Sequence, residues 1–291
     1  MTYKVSSIPE TQDIIGFLTS QDVFPDNLVK ESLNDFSFYE FSMDELGLPS
    51  PQELLNSVLN IKNIVGLKGW MSDGVESQTY KGFSLTYNPD FCDANTSIYH
   101  QTWGAANLLQ SYGRVRGLGN FSSIRNTYYD TYAFRNQAPV IETELGYLFD
   151  QFSCPLLRSR AAFLKLHRCL NSDDSWHVDE PPYHMFRINI PLQTSKEHVL
   201  EINGSDEYGN HMQAIRHLEV GKAYIWNTRI PHRVTITEPN VNHKDRIHLV
   251  LGFGTWIDYN KDDDTFSKSQ RYGLSLKTII EEKLFLKKKG N

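Results

Sequence analysis

The chain has 291 residues with a net charge of −6, and its 40% hydrophobic and 22% charged residues are ordinary for a globular protein, which excludes disorder over most of its length. With no long basic run apart from Lys287-Lys288-Lys289 at the extreme C-terminus, nothing argues for a nucleic-acid footprint, and no stretch is long and apolar enough to span a bilayer. Cys92, Cys154 and Cys169 form no CxxC pair, so neither a disulfide framework nor a zinc site is expected.

That cysteine usage fits a reducing, cytoplasmic setting. Residues 1–20 mix Lys4, Glu10 and Asp13 with apolar residues and lack the apolar run of a signal peptide, so the sequons at Asn95 and Asn203 read as chance matches.

In chain order, residues 8–64 read as helical: Ile14, Ile15, Phe17 and Leu18 recur at helical spacing, and Ser50-Pro51-Gln52-Glu53 has the form of a helix start. From Gly66 to Pro139 the pattern breaks into short segments, with strands expected at 81–87 and around 128–134. Gly117-Leu118-Gly119 lacks the third glycine of a dinucleotide fingerprint and reads as a turn. Tyr128, Tyr129, Asp130 and Arg135 form a polar-aromatic patch whose composition is common on surfaces.

A helix over 140–152 then hands over, at Pro155, to an apolar strand at 161–166. Further strands are expected at 185–192, 198–202, 211–217, 223–226, 232–237 and 246–253. Short strands about ten residues apart signal a sandwich or barrel. Leu276, Ile279, Ile280 and Leu284 mark an amphipathic closing helix over 274–286.

His177 and Asp179 are two apart, so on an extended strand both face one side, and His232 can close a facial triad with them. Two histidines and one carboxylate with open positions suit non-haem Fe(II) better than a structural ion. The bare H-x-D occurs often by chance; its order before His232 and Arg246, which follows 14 residues later, makes it informative. The period of two also places Arg187 with Asn189 on one strand face, and Arg246 with His248 on another. A buried arginine is costly without an anion, and its planar fork matches a carboxylate, so a dicarboxylate ligand is the natural candidate.

Residues 160–253 resemble the Fe(II)- and 2-oxoglutarate-dependent oxygenase superfamily, within it the aspartyl/asparaginyl β-hydroxylase and proline hydroxylase branch. The strings that carry the resemblance are His177-Val178-Asp179, Tyr183 to Leu192, Gly221 to Asn227, His232-Arg233-Val234 and Arg246 to Val250. It implies a mainly β fold: a double-stranded β-helix of the jelly-roll, cupin-like type, with N-terminal and C-terminal helices packed around it. The implied division is an N-terminal helical and irregular region at 1–139 packed on the barrel, a catalytic core at 140–260, and a C-terminal helix and tail at 261–291.

By the same resemblance, His177, Asp179 and His232 bind Fe(II). Arg246 pairs with 2-oxoglutarate, the cosubstrate used with O2, while Arg187 and Asn189 lie on the cosubstrate side. Asn189 stands where the β-hydroxylase branch can carry a histidine. The β-hydroxylase of secreted domains lacks the carboxylate ligand that Asp179 supplies here, so its substrate does not carry over. Lys165, Arg160, Trp176, Tyr183 and His248 are candidates for contact with substrate or cosubstrate, against solubility for the charges and packing for the aromatics.

The implied reaction is hydroxylation of an amino acid or of a residue in a peptide or protein. Asp179 favours hydroxylation over halogenation, because a halide needs the carboxylate's position. The alternatives are the same chemistry on another small metabolite, a non-enzymatic cupin-like binding protein, and a cupin-type isomerase or zinc hydrolase. Intact His177, Asp179, His232 and Arg246 argue against a degenerate site.

Overall fold

The computed structural model describes residues 23–72, 75–87, 131–132, 134–165, 176–238 and 244–287. The expected helix at 14–18, the turn at 117–119, the sequon at Asn95 and most of the 128–134 segment lie outside these residues.

The N-terminal region is less helical than its periodicity suggests. Helix α1 (Asp26–Leu33) is followed by strand β1 (Tyr39–Ser42), a 3-10 turn (Asp44–Leu46) and helix α2 (Pro51–Val65). Ser50 caps α2 as the sequence indicates: its hydroxyl accepts from the Glu53 amide, and the Glu53 carboxylate accepts from the Ser50 amide, which satisfies two backbone donors reciprocally. Strands β2 (Lys68–Ser72), β3 (Val75–Ser84) and β4 (Thr86–Tyr87) follow. After β5 (Asn136–Gln137), the expected 140–152 helix is split into a 3-10 turn (Pro139–Ile141), α3 (Glu142–Leu145) and α4 (Tyr147–Gln151).

The remaining strands are β6 (Leu156–Leu164), β7 (Met185–Gln193), β8 (His198–Ser205), β9 (His211–His217), β10 (Lys222–Ile225), β11 (His232–Ile236) and β12 (Arg246–Gly254). A hairpin of β13 (Ile257–Asn260) and β14 (Thr265–Lys268), not foreseen, precedes the closing helix α5 (Leu276–Glu281).

From β6 onward the chain alternates between two sheets. The larger has the order β1-β10-β7-β12-β6-β3-β2, and the smaller β11-β8-β9. An isolated antiparallel bridge between His177 and His232 adds His177 beside β11. This alternation, β6, His177, β7, β8-β9, β10, β11, β12, is the winding of a double-stranded β-helix, and the molecule is mainly β. Strands β1, β2 and β3 come from before residue 140 yet hydrogen-bond into the larger sheet, and β13–β14 spans residue 260, so the sheet and hairpin cross both divisions drawn from the sequence.

The period of two assigns the faces of the larger sheet. Phe186, Ile188 and Ile190 of β7 and Ile247, Leu249, Leu251 and Phe253 of β12 join the main core with Leu54, Val58 and Ile61 of α2 and Leu276, Ile279 and Ile280 of α5. The opposite face looks into the space between the sheets. That interior is apolar at both ends: Leu200, Ile202, Tyr224, Trp226 and Ile230 at one, Leu164 and Ile236 at the other. The buried polar residues Arg160, Asn189, Arg246 and His248 share this face of the larger sheet.

Candidate metal centre and anion pocket

His177 and His232 exchange backbone hydrogen bonds of 3.1 and 3.0 Å, and the Asp179 amide donates to the Thr228 carbonyl at 2.9 Å. The Thr228 hydroxyl in turn donates to the Glu180 carbonyl at 2.8 Å. These bonds stitch the H-x-D segment to the turn between β10 and β11. Buried Asn227 shapes that turn, accepting from the Arg229 amide and donating to Asp206.

The result is a cluster in which His177, Asp179 and His232 each offer a ligand atom within 4.8 Å of the others. His232 Nδ1 lies 3.0 Å from the Ile230 carbonyl, which can only accept, so Nδ1 carries the proton and Nε2 keeps its lone pair. That lone pair faces Asp179 Oδ2 at 3.6 Å. Burial acts to raise the Asp179 carboxyl pKa, but the Arg187 guanidinium outweighs it and holds the group ionised, well below its ordinary range. His232 is buried and His177 exposed, so the cluster opens to one side.

Arg187, on the interior face of β7, engages carboxylates of the chain itself. Its guanidinium ion-pairs with Asp179 and with Glu180, and Glu180 also pairs with Arg158. The two carboxylates beside the metal cluster therefore already engage this arginine. Glu180 is held below the ordinary range, because Arg158 and Arg187 outweigh the effect of burial.

Arg246 contrasts with it. The residue is 9% exposed, faces the interior from β12, and makes its hydrogen bond from Nη2 to His248 Nδ1 at 3.1 Å. Among the described residues no carboxylate pairs with it, and burial brings its pKa down to about 10. Because the guanidinium only donates, His248 Nδ1 accepts, and the neutral ring carries its proton on Nε2. That Nε2 is buried and has no partner among the described residues. Burial first, then Arg246, His198 and His217, keep His248 neutral by lowering its pKa well below the ordinary value.

Arg246 pairs across the sheet with Leu164, which packs on Ile236, whereas His232 begins the same strand as Ile236. Four residues of strand separate the two ends, about 13 Å. Asn189 stands between them, 9% exposed and opposite Tyr224 and Val250.

The other sequence candidates divide. Arg160 is buried on the interior face of β6, opposite Val250. Lys165 is exposed beyond the end of β6. Trp176 lies under the guanidinium of Arg233, 4.6 Å from the ring centre, and Arg233 pairs with Glu201; this places the indole on the outer side of the smaller sheet. Tyr183 packs with Phe24 and His184 against the main core. Arg135 is buried and paired with Asp264. Sequence reasoning missed Arg158 and Glu180; the adjacency of Glu180 to the H-x-D motif was the one signal available.

No family model matches the chain, and no curated protein sequence does. Similar solved structures include the non-haem alpha-ketoglutarate-dependent epimerase SnoN from nogalamycin biosynthesis, at 9% identity and TM-score 0.38 over 80% of this chain and 85% of that one. A prolyl hydroxylase of Trichoplax adhaerens in complex with a hypoxia inducible factor peptide has 12% identity and TM-score 0.37 over 78% and 88%. A prolyl-4-hydroxylase of Pseudomonas putida has 12% identity and TM-score 0.36 over 78% and 98%.

Proposed function

We propose that the protein is an Fe(II)- and 2-oxoglutarate-dependent dioxygenase that hydroxylates an amino acid, free or within a peptide or protein, releasing succinate and carbon dioxide. The observation that carries this reading is a juxtaposition: a His-Asp-His donor set and a buried arginine with no carboxylate partner among the described residues face one interior. Two imidazoles and one carboxylate suit a ferrous ion with open positions. A buried guanidinium beside a free N–H suits a carboxylate. A short dicarboxylic acid that reaches from one to the other satisfies both.

When bound, iron and 2-oxoglutarate supply the oxidising power, through loss of carbon dioxide from the oxo acid and activation of dioxygen. The chain's residues bind and orient. His232 presents Nε2 because Ile230 holds Nδ1–H. Arg246 and the His248 Nε2–H would take the far carboxylate, where Leu164 and Ile236 keep water out, and Trp226, packed on His232, does so at the reacting end. Asp179, as an intact ligand, favours hydroxylation over halogenation. The sequence strings favour the aspartyl/asparaginyl and proline hydroxylase branch, and the cysteine usage favours the cytoplasm.

The test is optical. Purified protein given Fe(II) and 2-oxoglutarate without oxygen develops a weak visible charge-transfer band; demonstrably bound iron with no band contradicts the reading. A mass-spectrometric screen of free amino acids, peptides and cell extract for a 2-oxoglutarate-dependent gain of one oxygen then separates an amino-acid or peptide substrate from another metabolite.

A further inference from the structure

The ion pairs beside the metal cluster form a chain. Arg187 Nη1 donates to Asp179 Oδ2 and its Nη2 to Glu180 Oε2, while Arg158 Nη1 pairs with Glu180 Oε1. Each end is anchored by backbone. Arg187 sits in β7, paired on β12, and Arg158 adopts a left-handed φ of 44° at a register shift between β6 and β12. A non-glycine residue rarely takes that conformation, and it persists where surrounding contacts over-determine it. The Arg158 backbone amide, donating to the Phe134 carbonyl at 3.2 Å, and its guanidinium, 5.6 Å from the Phe134 ring centre, are two such contacts.

A carboxylate at the rim of a metal site is free to rotate and to offer either oxygen or both. Here Oδ2 lies between the Arg187 guanidinium and His232 Nε2, and Oδ1 has no partner among the described residues. Building on the metal centre proposed above, we propose that Arg187 is the positioning residue of Asp179, held by Glu180 and Arg158, and that it makes Asp179 a single-oxygen ligand. Lys at position 187 supplies the charge without the planar fork that grips two carboxylates at once.

Two effects of Arg187 oppose each other, and their difference in sign makes the proposal testable. Positioning strengthens metal binding, whereas a cation beside a dication weakens it. Co(II), which tolerates air and reports coordination through its visible bands, is the probe. Its affinity and absorption spectrum are measured on the full chain, wild type and Arg187→Gln, Arg187→Lys and Arg158→Gln, with circular dichroism confirming the fold.

Loss of a group that orients a ligand costs about 10- to 100-fold in metal affinity, which is the loss expected for Arg187→Gln, with an altered Co(II) spectrum. Arg187→Lys recovers part of it, and Arg158→Gln shows a smaller loss of the same sign. Co(II) binding by Arg187→Gln as tight as wild type, or tighter, overturns the proposal. Where Arg187→Gln does not fold, Arg158→Gln decides: weaker binding supports the proposal, and equal or tighter binding overturns it. A wild-type chain that takes up no Co(II) removes the metal centre and this proposal together. One that takes up Co(II) but not 2-oxoglutarate overturns only the oxygenase reading.

Discussion

The two ends of the barrel interior treat buried charge in opposite ways. Beside the metal cluster, Arg158 and Arg187 share the carboxylates of Asp179 and Glu180. At the far end, Arg246 is also buried and, among the described residues, has no carboxylate partner and hydrogen-bonds to an imidazole. A protein bears the desolvation of a guanidinium where partners compensate it; where they do not, the cost is recovered when a ligand binds. The first end is therefore internally balanced, and the second leaves its guanidinium for the dicarboxylate proposed above.

The largest expected effect is at the balanced end. His232→Ala removes one of three donors and lowers Co(II) affinity by more than about 100-fold, since even orienting groups are worth 10- to 100-fold; a titration followed by absorbance checks it. Breaking the balance without touching a ligand comes next. Arg158→Met leaves the partly buried Glu180 with one partner instead of two and costs about 2 kcal/mol by urea unfolding.

The same substitution at the other end has the opposite sign. Arg246→Met, measured without ligand, stabilises the chain by about 1 kcal/mol, because it removes an uncompensated buried charge. Equal destabilisation by both methionine variants would erase the contrast between the ends.

Acid sharpens it further. His248 beside Arg246 and His184 against the core both have folded-state pKa values well below the ordinary 6.5. The unfolded chain therefore binds protons there that the folded chain does not. Stability is full above pH 6.5 and declines as pH falls from 6.5 toward those folded values. Asp264, lowered by Arg135 against the effect of burial, adds a loss only below its ordinary 3.8. His248→Gln flattens part of the slope below pH 6.5, which pH-dependent unfolding measures.

Much of this was legible in the sequence. Alternation in β7 and β12 put Arg187 and Asn189, and Arg246 and His248, on the faces opposite the apolar ones, and the capping box at Ser50 marked the start of α2. Strand β1 was hidden because Tyr39-Glu40-Phe41-Ser42 is short and flanked by helical patterns; its pairing with β10 is a tertiary choice. The β13–β14 hairpin was masked by the charged run Lys261 to Asp264 at its turn. Parity can say that a side chain points inward but not which partner it meets there. That is why Arg187 and Arg246 looked alike, and why Trp176 and Tyr183, adjacent in sequence to the metal motif, turn out to pack elsewhere. The Arg158–Glu180 pair was invisible because its members are 22 residues apart and meet through a local irregularity of β6.

The most direct test of the central claim, that one interior holds a metal and a dicarboxylate together, is a calorimetric titration of 2-oxoglutarate into Co(II)-loaded wild type and Arg246→Ala. Truncating one side of a buried charge pair costs about 2–5 kcal/mol, so the variant should bind 2-oxoglutarate at least about 30-fold more weakly while retaining wild-type affinity for Co(II). Unchanged 2-oxoglutarate affinity in Arg246→Ala, or no binding to the metal-loaded wild type, contradicts the account.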